Sequence, residues 1–397
     1  MNIGNQQLQK KLNREQIINL LLRQGNMSRS QIAEETKLGW GSITKYSAEL
    51  LAEGIVREIG AQKSGGRNSV ILGLNPTYKY FIGLDIGSTF IKGMAVDMTG
   101  TECAFHREAT RWQSDRNTVL EQIFGIVETL LRQAGLQPGQ LMAIGCGVAG
   151  GVDFETGTVR YAGNFRDFDQ MPLSEMVGKR FSVPCFVSNS MIIRLLGVSR
   201  SPQVSDRHNV AYISLGTGIG AGIISHGRIL VPTSDEHIGD IAHFMVRRDG
   251  PQCFCGLHGC LEAIAGARAV LRTIRQRTGE DRLEWAQVKA RSDDAAIDDV
   301  LTAAGRDIAM ALCGIIQFHR PDVIILGGGM TELGDRLIGP IRAAVAEQIP
   351  TERFDVAGIV VSEQRNCGSL GATMYAWDNI FHSEREYVNL KLRGTTD

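Results

Sequence analysis

The chain has 397 residues, too many for one ordinary core, so two or three domains are expected. With 43% hydrophobic and 21% charged residues the chain is globular rather than disordered. The net charge of -1 hides a division: residues 1–75 hold ten Lys/Arg against six Asp/Glu, a net of +4, and the remainder carries -5. A basic head on an acidic body points to a nucleic-acid-binding end.

No run of about 18 apolar residues is present, so no transmembrane helix is expected. The opening stretch, through Gln16, lacks the apolar core of a secretion signal. Eight cysteines in a chain this long do not resemble the disulfide framework of a small secreted domain, so the expected setting is the cytoplasm.

The head comes first in chain order. Residues 14–24 place Ile17, Ile18, Leu21 and Leu22 at helical spacing, and Gly25-Asn26 stops the pattern. Ser28 or Ser30 is positioned to cap a short second helix over 31–36. Leu38-Gly39 reads as a tight turn into a third helix, from about Ser42 to Glu53. Ile43, Ser47 and Leu50 of that helix face the core; Ser42, Thr44, Lys45, Tyr46 and Glu49 face out. Two strands follow, 55–59 and 70–74, joined by a Gly-rich basic loop over 61–68. This is the pattern of a winged helix-turn-helix, whose third helix enters a DNA groove and whose wing reaches phosphates. Ser42, Thr44, Lys45 and Tyr46 on the helix, with Lys63 and Arg67 on the wing, are the DNA-contact candidates. The alternative is a small helical oligomerisation module with an ordinary surface loop. Asn75-Pro76 begins the link to the body.

The body carries three glycine turns. Residues 80–89 read as a strand ending near Asp85, then a tight turn at Gly87, Ser88 and Thr89. Residues 210–222 repeat the design around Gly216, Thr217 and Gly218. Small residues let backbone N–H groups approach phosphate oxygens, and Asp85 is placed for a metal or its water. Two such loops, one per lobe, are what a clamped nucleotide requires. Gly327-Gly328-Gly329 offers a third turn on the nucleoside side. Each turn taken alone is also an ordinary β-turn.

Between the second and third turns lies a set of metal-ligand type. His243, Cys253, Cys255 and Cys260 offer three thiolates and one imidazole, a closed tetrahedral set suited to structural Zn²⁺. No position is left open for water, so the ion is read as structural. His258 is a spare at the surface. Buried thiols without a metal are the alternative.

These motifs together resemble the ROK family (repressors, open reading frames and kinases) of the actin-like sugar-kinase superfamily. The resemblance is strongest to the family's regulator branch, typified by the glucose, N-acetylglucosamine and xylose repressors, and it covers nearly the whole chain. It implies a winged helix-turn-helix over residues 1–75, a first actin-like α/β lobe over 76–200 and a second lobe with the zinc loop over 201–397. It also implies a sugar site of Asn164, Asn189, Ser190, Asp240, His243 and Glu262. The sequence departs from the family at telling places. ROK kinases follow the matching Asn with an Asp that accepts the proton of the attacking hydroxyl; here Asn189 is followed by Ser190. A hydroxyl stays protonated at neutral pH, and losing a general base costs on the order of a hundred- to ten-thousand-fold in rate. Asp240 replaces the family's Glu, Ala242 its Gly, and the segment around Asn164 lacks its Leu-Pro-Gly-Trp.

The expectation is therefore a sugar-responsive regulator, a repressor of carbohydrate-utilisation genes. Its partners are operator DNA, a sugar or sugar-phosphate effector and a second copy of itself, and it does not turn over ATP. Losing the cleft Asp, with Arg166 and Arg194 near the site, suits a phosphorylated or acidic sugar; a solvated Arg194 is the plainer reading. The main alternative is a bifunctional sugar kinase carrying a DNA-binding head, favoured by the intact phosphate loops. A zinc-stabilised scaffold without a ligand is a third.

Overall fold

A computed structural model describes residues 3–64, 67–162, 167–204, 207–230 and 240–381. The head opens with helix α1 (Ile3–Gln24), which buries Ile17, Ile18 and Leu21. It starts 11 residues before the expected position. Its first half is rich in Gln, Lys and Asn and carries no apolar stripe, so periodicity could not reveal it; the Gln9–Asn13 and Lys11–Glu15 pairs support it. A two-residue strand β1 (Met27–Ser28) leads into α2 (Arg29–Thr36). Ser28 is the cap: its Oγ accepts from the Gln31 N–H while Gln31 Oε1 accepts from the Ser28 N–H. Lys37 ends α2 in the left-handed region at φ 57°.

Helix α3 (Trp40–Ala52) begins two residues before Ser42, because the Gly39 carbonyl accepts from the Ser42 and Ile43 N–H groups. Ile43, Ser47 and Leu50 are buried, as their spacing requires. Strands β2 (Val56–Ser64) and β3 (Arg67–Leu74) pair antiparallel, and β1 joins the far side of β3. The ladder continues through Lys63 opposite Asn68 and Ser64 opposite Arg67, so the wing is more strand and less loop than expected. Polar residues in an open ribbon give no alternation to betray a strand.

The body's first sheet is built from β4 (Tyr80–Ile86), β5 (Phe90–Asp97) and β6 (Glu102–Ala109), then α4 (Arg116–Gln133) and β7 (Leu141–Val148). A small ribbon of β8 (Gly151–Asp153) and β9 (Thr158–Tyr161), helix α5 (Leu173–Phe181) and strand β10 (Cys185–Asn189) complete it. The sheet order is β10-β7-β4-β5-β6, with β4 antiparallel to β5 and parallel to β7. Asp115 caps α4 through the Thr118 N–H, and α4 buries Ile123, Ile126, Val127 and Leu130.

The second half starts with α6 (Ser190–Ser199), β11 (Val210–Leu215), β12 (Ile219–Ser225) and β13 (Arg228–Ile229). Helices α7 (Leu261–Ala265), α8 (Ala267–Thr278), α9 (Trp285–Ala290) and α10 (Ala295–His319) follow. Strand β14 (Val323–Gly327), helix α11 (Asp335–Gln348), strand β15 (Ile359–Val361) and helix α12 (Cys367–Phe381) close the described chain. The sheet order is β13-β12-β11-β14-β15, with β11 antiparallel to β12 and parallel to β14. Both five-stranded sheets thus run an antiparallel three-strand meander followed by two strands added on the other side. This is a duplicated α/β architecture of the actin-like kind.

Packing divides the chain into two compact units. One takes everything up to Val148, Val152–Ser188 and the helix from Ala372 on; the other takes Ala149–Gly151 and Asn189–Gly371. The head therefore shares a unit with the first sheet. Its junction is bonded on both sides: Asn75 Nδ2 donates to the Gly54 carbonyl, and the Met98 N–H donates to the Pro76 carbonyl. A second tie is deeper. Trp377 Nε1 donates to Asn19 Oδ1 at 3.0 Å, and Asn19 Nδ2 donates to the Phe381 carbonyl at 3.0 Å. All three residues are buried, beside the Phe81 ring.

Helix α12 crosses the boundary between units. Within the second unit its first turn lies against α6: a Cβ on Gly371 would sit 1.6 Å from the Ile193 carbonyl oxygen, and one on Gly197 would sit 1.9 Å from that of Cys367. Only glycine allows the two backbones this close.

Candidate functional site

On the head, Thr44 and Lys45 are exposed, and Ser42 and Tyr46 are half-buried. Lys45 Nζ lies 5.9 Å from the Tyr46 ring centroid, and Thr44 Oγ1 donates to the Trp40 carbonyl. Glu49 does not face out as expected. It turns toward α1, where Lys10 and Arg14 bond it. Arg14 also bonds Glu53, and these hydrogen bonds hold the Glu49 and Glu53 carboxyls below their ordinary range. Trp40 was not anticipated; it opens α3 and is 61% exposed. An exposed indole at the start of a reading helix was legible as a Trp-Gly pair next to the turn. Lys63 and Arg67 sit opposite each other's neighbours in the wing ladder, but their side chains lie outside the described residues, as does the tip between them.

Both phosphate-type turns close on their own backbone. At the first, the Gly87 N–H donates to the Phe90 carbonyl, and Thr110 bonds the carbonyls of Gly87 and Thr89. Ser88 is buried there, and so is Asp85, which pairs in register with Lys92 and Gly147. At the second, the Gly216 N–H donates to the Gly218 carbonyl, and the Gly216 carbonyl accepts from Ala267. Thr217 is the tip residue of that turn. Turns made this way form whether or not a phosphate is bound.

The second turn is joined to the zinc-type loop by one carboxylate. Glu262 Oε2 accepts from the Ile219 N–H at 3.0 Å, and a Cβ on Gly218 would fall 2.6 Å from that same oxygen. A side chain at position 218 would therefore push the Glu262 carboxylate off the Ile219 N–H. Burial pushes the Glu262 carboxyl above its ordinary value.

His243, Cys253, Cys255 and Cys260 come together, with all four ligand atoms within 4.8 Å of one another. The Cys255–Cys260 sulfurs are 3.7 Å apart, and Cys253 Sγ is 3.5 Å from His243 Nδ1. A tetrahedral zinc with bonds of about 2.3 Å to sulfur and 2.0–2.1 Å to nitrogen spans edges of about 3.8 Å and 3.6 Å. The donor set and its spacing fit zinc. Burial pushes the Cys253 and Cys260 thiols up, Cys260 to about 12, while the Leu257 N–H draws Cys255 down. A cation is what allows three such thiolates to share one loop. His243 turns its other nitrogen, Nε2, toward Asp240 Oδ2 at 3.7 Å. That is the carboxylate–histidine arrangement that orients a metal-bound imidazole. His258 is exposed.

Asn189 caps α6. Its Oδ1 accepts from the Met191 N–H and its Nδ2 donates to the Gly150 carbonyl, each at 2.7 Å. One lone pair and one N–H remain for a ligand. Ser190 follows as the first residue of α6 and is buried. One turn later Arg194, half-buried, donates to Ser214 Oγ at 3.0 Å on β11, two residues before Gly216. It is not the solvated helix residue of the plainer reading. The structure thus brings Asp240, His243 and Glu262 into one neighbourhood around the zinc-type loop, and sets Asn189 and Ser190 at the start of α6. Asn164 and Arg166 lie outside the described residues.

Comparison with known proteins accounts for both parts. The ROK family model matches residues 81–379, and a winged helix-turn-helix DNA-binding model matches residues 11–57. A putative xylose repressor of Caldicellulosiruptor sp. is 27% identical over 383 residues, covering 92% of this chain and 94% of its own. The glucokinase of Thermotoga maritima is 30% identical over 308 residues, covering 73% of this chain and 95% of the kinase. A crystal structure of a ROK family transcriptional regulator, a homolog of the E. coli MLC protein, superposes with a TM-score of 0.79 at 23% identity, over 94% of this chain and 98% of that one. With the family spanning the body and the DNA-binding module spanning the head, this chain belongs to the ROK family, in the arrangement of its transcriptional regulators.

Proposed function

We propose that the chain is a sugar-responsive repressor of carbohydrate-utilisation genes, working in the cytoplasm on operator DNA, with a sugar-kinase-like body that binds its effector and does not phosphorylate it. The observation that carries this reading is the start of α6. Asn189 is present and capping, and the next side chain, where ROK kinases hold an Asp, is the buried hydroxyl of Ser190. The full-length match to a putative xylose repressor supports the same reading, since a kinase has no need of the head.

The sugar site is Asn189, Ser190, Asp240, His243 and Glu262, with Asn164 as its sixth member. Zinc, held by His243 and the three cysteines, fixes the loop that carries Asp240 and Glu262. Repression requires two copies, because palindromic half-sites take two reading helices about one turn of DNA apart. It also requires an effector that binds two conformations of the body unequally. The phosphate-type turns give the kinase reading its strongest support. Their internal bonding supplies a second reason for them to persist, namely that the sheets need tight turns there.

The test is a gel shift on DNA upstream of the protein's own gene, with and without a panel of sugars, beside an ATP-coupled assay on the same sugars. A shift altered by one sugar, without turnover, is the expected result. Turnover at ordinary kinase rates would overturn the non-enzyme reading, and no shift on any upstream fragment would overturn the regulator.

A further inference from the structure

The chain has four tryptophans. Trp377 is buried, Trp112 and Trp285 are half-buried, and Trp40 stands 61% exposed as the first residue of α3. By spacing, Trp40 continues the row of Ile43, Ser47 and Leu50, but the core of the head stops at Ile43. Among the described residues, no ring contact or hydrogen bond engages the indole. Gly39 and Gly41 stand on either side of it, and a Cβ added at either would meet nothing within 4 Å. The chain therefore leaves its largest side chain bare on both flanks.

The surroundings have a definite character. Gly41, Thr44, Lys45 and Ala48 are exposed on the same helix, and Lys37 is exposed just before it. Glu49 is the helix's one acid, and Lys10 and Arg14 draw it toward α1. Thr44 lies one turn from Trp40 and its hydroxyl donates to the Trp40 carbonyl, so it has no hydrogen left to offer a base. An apolar ring among small and cationic neighbours, with the acid turned away, suits the groove of a polyanion.

We infer that Trp40 is a base-reading residue, and that its indole packs on the methyl group of one thymine in the major groove of each operator half-site. This rests on the reading of the chain as a DNA-binding regulator and names one thing that it reads. The first residues of a recognition helix are the ones that meet base edges. An indole carries one donor and no acceptor. Guanine, adenine and thymine all display acceptors in the major groove, so the Nε1–H alone cannot choose among them. The thymine methyl is the one apolar group there, and Trp40 is the one large apolar side chain that α3 exposes. Their contact takes both out of water. It selects thymine over cytosine, and it works without a charge.

The experiment uses the full-length protein. A site is enriched from randomised duplexes, and affinities are read by fluorescence anisotropy. Each thymine of the site is then replaced singly by deoxyuridine, which keeps every hydrogen-bonding group and lacks only the methyl. At one position per half-site the replacement should weaken wild type about 4-fold, and about 15-fold when made in both half-sites, the size of one lost methyl contact each. Trp40→Ala should keep wild-type circular dichroism and lose at least about 10-fold on the site. Its affinity for random duplex and its salt dependence should match wild type, because the indole holds no phosphate. It should no longer sense the deoxyuridine, whereas Trp40→Phe, which keeps an aromatic face, should sense it again. The inference is overturned if no single methyl matters to wild type, or if Trp40→Ala senses the same methyl as strongly. It is equally overturned if Trp40→Ala weakens random duplex as much as the site. Failure to enrich any sequence would overturn the regulator reading itself, and this inference with it.

Discussion

Replacing Asn19 by Leu should loosen the DNA-reading head more than any exposed substitution in it. Asn19 is the polar link between α1 and α12: its carboxamide accepts from Trp377 Nε1 and donates to the Phe381 carbonyl, both at 3.0 Å and both out of water. Leu is close in size but can make neither bond. It strands an indole N–H and a carbonyl, each at a cost of about 1–3 kcal/mol. Added apolar burial returns about 1 kcal/mol. The net loss should be about 1–5 kcal/mol, read from urea unfolding followed by far-UV circular dichroism. Trp377→Phe supplies the control. Alone it strands only Asn19 Oδ1; combined with Asn19→Leu it removes the stranded N–H, so the double variant should be more stable than the sum of the two losses by about 1 kcal/mol. If Asn19→Leu costs under about 0.5 kcal/mol, or if the two changes simply add, the link is not what holds α1 to α12.

Cys255→Ser should abolish bound zinc in metal analysis and lower the melting temperature, with weaker effector binding because Asp240 is positioned through His243. Lys45→Ala should weaken operator binding at every sequence and, with two copies on the DNA, reduce the log-affinity against log-salt slope by about 1.8, while leaving effector binding unchanged. Burial pushes the His319 imidazole below its ordinary 6.5, against the opposing pull of the Ile224 carbonyl 3.0 Å from its Nε2, so the folded chain holds a proton on this ring less readily than the unfolded chain does. The unfolded chain takes up a proton first as pH falls through 6.5. Stability should decline below that point, and His319→Gln should lack this part of the decline in pH-dependent urea titrations. Calorimetry should show a phosphorylated or acidic sugar binding more tightly than its neutral parent, and Arg194→Met should erase the preference. Tight binding of a neutral sugar with none of its phosphate would dispose of Arg194 as an anion partner.

What the sequence made legible follows from how each feature is encoded. The reading helix announced its core through Ile43, Ser47 and Leu50, and the metal set through spacing alone, because three sulfurs and an imidazole within 18 residues have few other uses. The first half of α1 and the outer wing strands were hidden, since a solvated helix or ribbon leaves no apolar period. Glu49 was misplaced because its direction is set by Lys10 and Arg14, some 35 residues away in the chain. The Glu262–Ile219 and Asn19–Trp377 bonds join segments 43 and 358 residues apart, and no local pattern carries such pairings.

Helix α12 has 15 residues, about 22 Å at 1.5 Å per residue. From Ala372 on it serves the head as a doorpost: Tyr375 and Trp377 are buried on it, and α1 is hung on it through the Asn19 bonds to Trp377 and Phe381. Removing its last two turns would therefore take away the head's buried polar support although every residue of the head stayed as it is.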